Sequence, residues 1–185
     1  MEKREIRRQL IHIFAGLAFI VFLFLSDRVT LIGVTFLIII GGSLLINFAL
    51  VGEYVPIAHD IGKELERKKR RFPGWGPAWY AWGILLLAVV LTDINEISAG
   101  IFILGVGDGL STLVGIKGKN KLPYNHKKTF EGTAAFFIAS LIAYYFVGWS
   151  IVPLALIAAI VESLPWKIDD NLAVPFFCAV FFMIF

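Results

Sequence analysis

The chain has 185 residues, of which 58% are hydrophobic and 17% charged, with a formal net charge of +3. A soluble domain of this size has too little interior to hide that much apolar surface, so the composition excludes a water-soluble globular protein. The positive balance does not point to nucleic acid, because basic loops are what membrane topology requires. The single cysteine, Cys178, excludes an internal disulfide and a cysteine-based metal cluster; it lies in an apolar run and reads as an inert packed thiol.

In chain order, a charged start (1–8) leads into an apolar block at 10–25 that ends on Ser26-Asp27-Arg28. Further apolar blocks follow at 29–51, 79–91, 97–116, 130–147, 151–164 and 172–185. The pattern predicts an all-α, polytopic integral membrane protein with about seven transmembrane helices, a single domain over 1–185. No small-residue cleavage site follows the first block, so it reads as a retained span rather than a signal peptide. The third, sixth and seventh blocks fall short of the roughly 20 residues that a full span needs. Between the second and third blocks stand His59, Asp60 and the run Arg67-Lys68-Lys69-Arg70-Arg71, which suits lipid headgroups.

The charges set the orientation. With the N-terminus in the cytoplasm and seven spans, every lysine and arginine of the 17 except Arg28 falls on the cytoplasmic side, as the positive-inside rule demands. Most of the polar residues able to do chemistry then share that face, where soluble nucleotides are.

Asp108 lies inside the fourth block among Gly105, Gly107 and Gly109. A carboxylate at membrane depth is costly and reads as functional by default; the bland alternative is a hydrogen bond to a neighbouring helix. The glycines allow close approach of another helix or of a ligand, and a break in the helix. They do not make a dinucleotide fingerprint, since Leu110 stands where the last glycine belongs, and no P-loop is present. The loop that follows carries Lys117, Lys119, Lys121, His126, Lys127 and Lys128, shaped by Gly115, Gly118 and Pro123. A solvated basic loop is the bland reading. The loop ends at Thr129, a good N-cap, and a helix start there offers amides to an anion. Lysines neutralise phosphate oxygens as point charges. Glu131 suits the helix dipole or a metal.

Glu162 is an acid in the sixth block, with Asp169-Asp170-Asn171 in the next turn. Asp169 reads best as a helix cap. Oxygen-rich clusters of this kind suit Mg²⁺, which takes a few carboxylates plus substrate phosphates, whereas the three histidines lack zinc spacing. Arg7, Arg8 and His12 share the first helix, with Arg8 and His12 one turn apart on one face.

Taken in order, Glu5-Ile6-Arg7-Arg8-Gln9-Leu10-Ile11-His12, Gly107-Asp108-Gly109, Lys127-Lys128-Thr129-Phe130-Glu131-Gly132, and Glu162 with Asp169-Asp170-Asn171-Leu172 resemble the CTP-dependent lipid kinases. That superfamily includes dolichol (polyprenol) kinases, phytol kinases and the fungal diacylglycerol kinase, and is distantly related to the CDP-lipid cytidylyltransferases. The resemblance implies CTP-dependent phosphorylation of a membrane lipid alcohol, dolichol or polyprenol first. It implies a CTP-binding segment built on Gly107, Gly109, Gly115, Lys117, Lys119, Lys121, Lys127, Lys128, Thr129, Glu131 and Gly132. Mg²⁺ is expected on Asp108, with Glu131, Glu162 and Asp170 as further ligands. Arg7, Arg8, His12, Asp108 and Glu162 are the expected catalytic residues, Glu162 as proton acceptor. The cytidylyltransferase pattern of a Lys-Asp pair, His-Gly-Gly and Asp-Arg is missing. Cytidylyl transfer, or transport without catalysis, stands as the alternative.

Overall fold

The computed structural model describes residues 2–51 and 75–185; His59, Asp60 and the basic run at 67–71 lie outside the described residues. Its elements are helices: α1 (Glu2–Leu25), α2 (Arg28–Val51), α3 (Trp75–Val90), α4 (Ile94–Phe102), a π turn (Ile103–Gly107), α5 (Asp108–Gly115), α6 (Phe130–Ser140), α7 (Tyr144–Val147) between two short 3-10 turns, α8 (Ile151–Ser163) and α9 (Asp170–Ile184). Local chemistry fixes where several of them start. Asp27 accepts from the Thr30 amide at 2.9 Å, so α1 and α2 are separated by only a tight turn. Asp93 caps α4, Thr129 caps α6 and Asp169 caps α9, each through its side-chain oxygen.

Among the described residues, four stretches are long and apolar enough to cross a membrane: Lys3–Leu25, Arg28–Phe48, Ile94–Gly115 and Phe130–Ser163. Two shorter apolar helices, Gly76–Val90 and Asp170–Ile184, join them. Phe14, Leu37, Ile138 and Leu156 are more than half exposed, an arrangement that suits lipid and not water. The 34-residue stretch Phe130–Ser163 is not a single rod. Gly148 takes φ 61° and ψ −142°, a conformation that favours glycine, and α6 and α8 pack against each other on either side of it. The apolar arms of the described residues therefore coincide with the seven blocks, while length alone qualifies four stretches as spans.

The rod Ile94–Gly115 is the axis of the bundle and by far its most buried span. It packs against α1 and α6, with α3, α7 and α9 also touching it, while α2 lies outside on α3. The glycines around Asp108 explain how α1 and α6 come so close. A Cβ on Gly105 would lie 3.2 Å from the Gly16 Cα of α1, and one on Gly107 would lie 2.7 Å from the Ser140 hydroxyl of α6. The expected break in the helix is instead one widened turn that keeps right-handed dihedrals at both of its caps; π turns inside α-helices often mark functional sites.

Arg28, the one cation expected on the far side, has a structural task. Its guanidinium donates to the carbonyls of Ala88 and Val89 at 2.7 and 2.8 Å. It thereby satisfies free carbonyls at the end of α3 and complements that helix dipole.

Candidate active site

At the other end of the bundle three acids converge from three elements: Asp108 opens α5, Glu162 closes α8 and Asp170 opens α9. One carboxylate oxygen of each lies within 4.8 Å of the others. Glu162 has no exposed surface, so its charge needs partners. Its Oε1 accepts from the Ser111 hydroxyl at 2.8 Å and from the Lys128 ammonium at 2.5 Å. Lys128 also donates to Asp170 at 2.8 Å. Burial by itself lowers the Lys128 pKa, but Glu162, Asp170 and Asp108 override it and hold the ammonium well above the ordinary lysine value. Lys128 therefore stays charged throughout the physiological range.

The basic loop is a built structure rather than a tether. Leu122 is buried, and its amide bonds to the Lys128 carbonyl at 3.1 Å. Asn125 is buried and donates to the Ser163 carbonyl at 2.9 Å, while the Tyr124 and Ser163 hydroxyls lie 2.9 Å apart. These contacts pin the loop to the end of α8 and turn Lys128 inward. Lys117, Lys119, Lys121, His126 and Lys127 remain exposed.

Glu131 does not join the acids. Its Oε1 accepts from the amides of Lys119 and Asn120 at 3.0 and 3.1 Å and from the Asn120 side chain at 2.9 Å. It forms a clasp across the loop, apart from the Asp108 cluster. The start of α6 also differs from the expected anion site. The Gly132 amide bonds to Thr129 Oγ1, the Phe130 amide to the Asn120 carbonyl and the Thr133 amide to the Thr129 carbonyl. Those donors are spent on the fold. Glu131→Ala is expected to raise the rate of tryptic cleavage after the loop lysines by at least about tenfold, as the loop opens locally. Glu131→Gln, which keeps an acceptor, is expected to cleave like the natural protein. Gel-resolved digestion of the two variants checks this.

Gly107 and Gly109 face protein. A Cβ on Gly109 would lie 2.4 Å from the Ile13 side chain of α1. They serve helix packing, the first of the two roles open to them in the sequence. Gly115 and Gly132 do the same where α5 crosses α6: a Cβ on Gly132 would lie 3.1 Å from the Gly115 Cα.

From α1, His12 reaches the site. Its Nε2 donates to the Leu104 carbonyl in the π turn at 3.1 Å and lies 3.6 Å from Asp108 Oδ2. Tyr80 of α3 packs against its ring at 4.1 Å between centroids, tilted by 49°, and donates to the His12 carbonyl at 3.2 Å. Arg8 pairs with Glu5 one turn away.

The structure thus brings together Asp108, Glu162, Asp170, Lys128 and His12, and leaves Glu131 and the other loop lysines outside the cluster. Sequence reasoning missed Ser111, Asn125 and Tyr80. Ser111 was open to detection, since it stands one turn after Asp108 on the same face of α5. Asn125 and Tyr80 carried no signal, because their partners are remote in the chain.

The donor set suits Mg²⁺: among the described residues it has three carboxylates and no sulfur, with one ammonium ion-paired to two of the acids. A further sign is Glu162 Oε2, which is buried with no hydrogen-bond partner. A buried oxygen in that condition is expensive unless something binds it.

No family model and no solved structure matches the chain. An uncharacterized protein of Methanocaldococcus jannaschii is 40% identical over 181 residues, covering 95% of this chain and 91% of that protein. Farnesol kinase of Arabidopsis thaliana, a chloroplast protein, is 30% identical over 92% of this chain and 62% of its own length. Phytol kinase 1 of the same plant is 26% identical over 94% of this chain and 64% of its own length. The chain thus spans less than two thirds of the plant kinases it matches.

Proposed function

This chain belongs to one family with the Methanocaldococcus jannaschii protein, and we propose that it is a kinase that phosphorylates the hydroxyl of a membrane-embedded isoprenoid alcohol. The observation that carries the reading is the convergence of Asp108, Glu162, Asp170 and Lys128 at one end of an apolar bundle, in a chain similar to farnesol and phytol kinases. A tail held among lipid-facing helices leaves its hydroxyl at the level of this cluster.

CTP is the proposed donor, on the resemblance of the Gly-Asp-Gly and Lys-Lys-Thr segments to the CTP-dependent lipid kinases. Mg²⁺ held by Asp108, Glu162 and Asp170 would supply charge neutralisation at the transferring phosphate. The alcohol oxygen attacks the γ-phosphorus, the bond to the bridging oxygen breaks, and CDP leaves. Lys128 and the exposed loop lysines offset phosphate charge. The hydroxyl proton needs an acceptor that a substrate can reach. Glu162, with no exposed surface, is not one, whereas the Asp108 and Asp170 side chains are 13% and 34% exposed. Positioning and charge stabilisation then account for most of the acceleration. The charge distribution supports seven spans with the N-terminus and the site in the cytoplasm. Dolichol and other polyprenols present the same hydroxyl on longer tails and belong among the proposed acceptors.

The test is the purified full chain in lipid discs with γ-labelled CTP, Mg²⁺, and farnesol, phytol, a polyprenol, dolichol or diacylglycerol. Label is expected in an isoprenoid phosphate, with CDP as the second product. Label recovered only as pyrophosphate would identify cytidylyl transfer instead and sink the kinase reading.

A further inference from the structure

Lys128 stands where a cation is wanted. Its Nζ lies 2.5 Å from Glu162 Oε1 and 2.8 Å from Asp170 Oδ2, and those two acids with Asp108 are the ones whose oxygens gather within 4.8 Å of one another. Among the described residues the three carboxylates share one ion-paired ammonium, which leaves negative charge in excess. The deeply buried Glu162 Oε2 has no partner at all. The cluster is therefore only partly neutralised by its lysine. A divalent ion held by these oxygens would compete with the ammonium that shares them. The two positive charges also repel each other. The two cations compete for the same carboxylate oxygens unless a further anion takes up the ammonium.

We propose that Lys128 is the resident counter-cation of the acidic cluster and makes metal binding depend on nucleotide. In the free protein the ammonium holds Glu162 and Asp170, and metal binds weakly. Nucleotide phosphates draw the ammonium off the carboxylates, which frees Glu162 and Asp170 to hold a metal with Asp108. The other loop lysines do not share this role: Lys117, Lys119, Lys121 and Lys127 are exposed, and only Lys128 is hydrogen-bonded to the acids. The inference rests on the kinase reading for the identity of the anion, but its test reads binding rather than turnover.

The experiment measures Mn²⁺ bound to the purified full chain, by paramagnetic resonance, with and without CTP and with a protein-free CTP control. In the natural protein, CTP is expected to raise protein-bound Mn²⁺ affinity about tenfold or more, within the usual range of coupling between sites. Lys128→Met is expected to bind Mn²⁺ alone about tenfold more tightly, with the CTP effect reduced. Lys128→Arg, which keeps the charge, is expected to retain the coupling. Equal Mn²⁺ affinity for Lys128→Met and the natural protein overturns the proposal. If Lys128→Met does not fold, the natural protein alone decides: equal affinity with and without CTP overturns it. Lipid labelling without such coupling removes the role of Lys128 and leaves the kinase reading intact. Coupling without lipid labelling does the reverse.

Discussion

Asp108→Asn is expected to lower phosphoryl transfer by about a thousandfold or more while leaving the melting temperature close to that of the natural protein. Asparagine has nearly the volume of aspartate, so the packing of Gly107 and Gly109 against α6 and α1 is undisturbed. The Asp108 side chain is 13% exposed and lies at the edge of the cluster, 3.6 Å from the His12 ring. His12 keeps its bond to the Leu104 carbonyl whatever stands at 108. What is lost is one of three negative charges gathered within 4.8 Å, and with it the field that a metal-bound phosphate needs. Label transfer and thermal unfolding, measured on the same preparation, check both halves. Wild-type turnover in the asparagine variant would remove the centre of the proposed site.

Glu162→Ala is expected to fail differently, losing activity and stability together. Glu162 is wholly buried and its Oε1 takes both the Lys128 ammonium and the Ser111 hydroxyl. Truncation strands a largely buried ammonium with Asp170 and leaves Ser111 without its acceptor. Breaking a buried ion pair from one side costs about 3–5 kcal/mol, or roughly 10 °C in melting temperature for a chain of this size. Glu162→Gln keeps the volume and an acceptor for both donors, and is expected to recover part of that loss. Thermal unfolding of the two variants gives the ranking. An alanine variant as stable as the natural protein would show that Lys128 does not depend on Glu162.

The contrast between these acids bears on how far the chain could be read before its fold was known. Helix positions were legible because they rest on local signals. Apolar blocks, the Thr129 and Asp169 caps, and the polar interruptions between blocks act over one or two turns. Asp108 was legible for the same reason, as a charge at a depth where charges are costly.

Partner identity was not legible. Lys127 and Lys128 are chemically identical neighbours, yet Lys127 is exposed while Lys128 bridges Glu162 and Asp170. What separates them is the buried Leu122 and the Asn125 bond to Ser163, contacts 38 residues apart in the chain for the latter pair. Glu131 had the composition of a metal ligand, but the loop folds back so that its carboxylate meets the amides of Lys119 and Asn120. The glycines around Asp108 allowed either a ligand or a helix to approach, and the crossings of α1 and α6 chose the helices. The sequence by itself determined the helices, their caps and which end of the bundle holds the acids and lysines, because periodicity, propensity and charge act locally along the chain. Only the tertiary structure decided which lysine meets which acid and which acid becomes a clasp, because those choices depend on how side-chain volumes let helices cross.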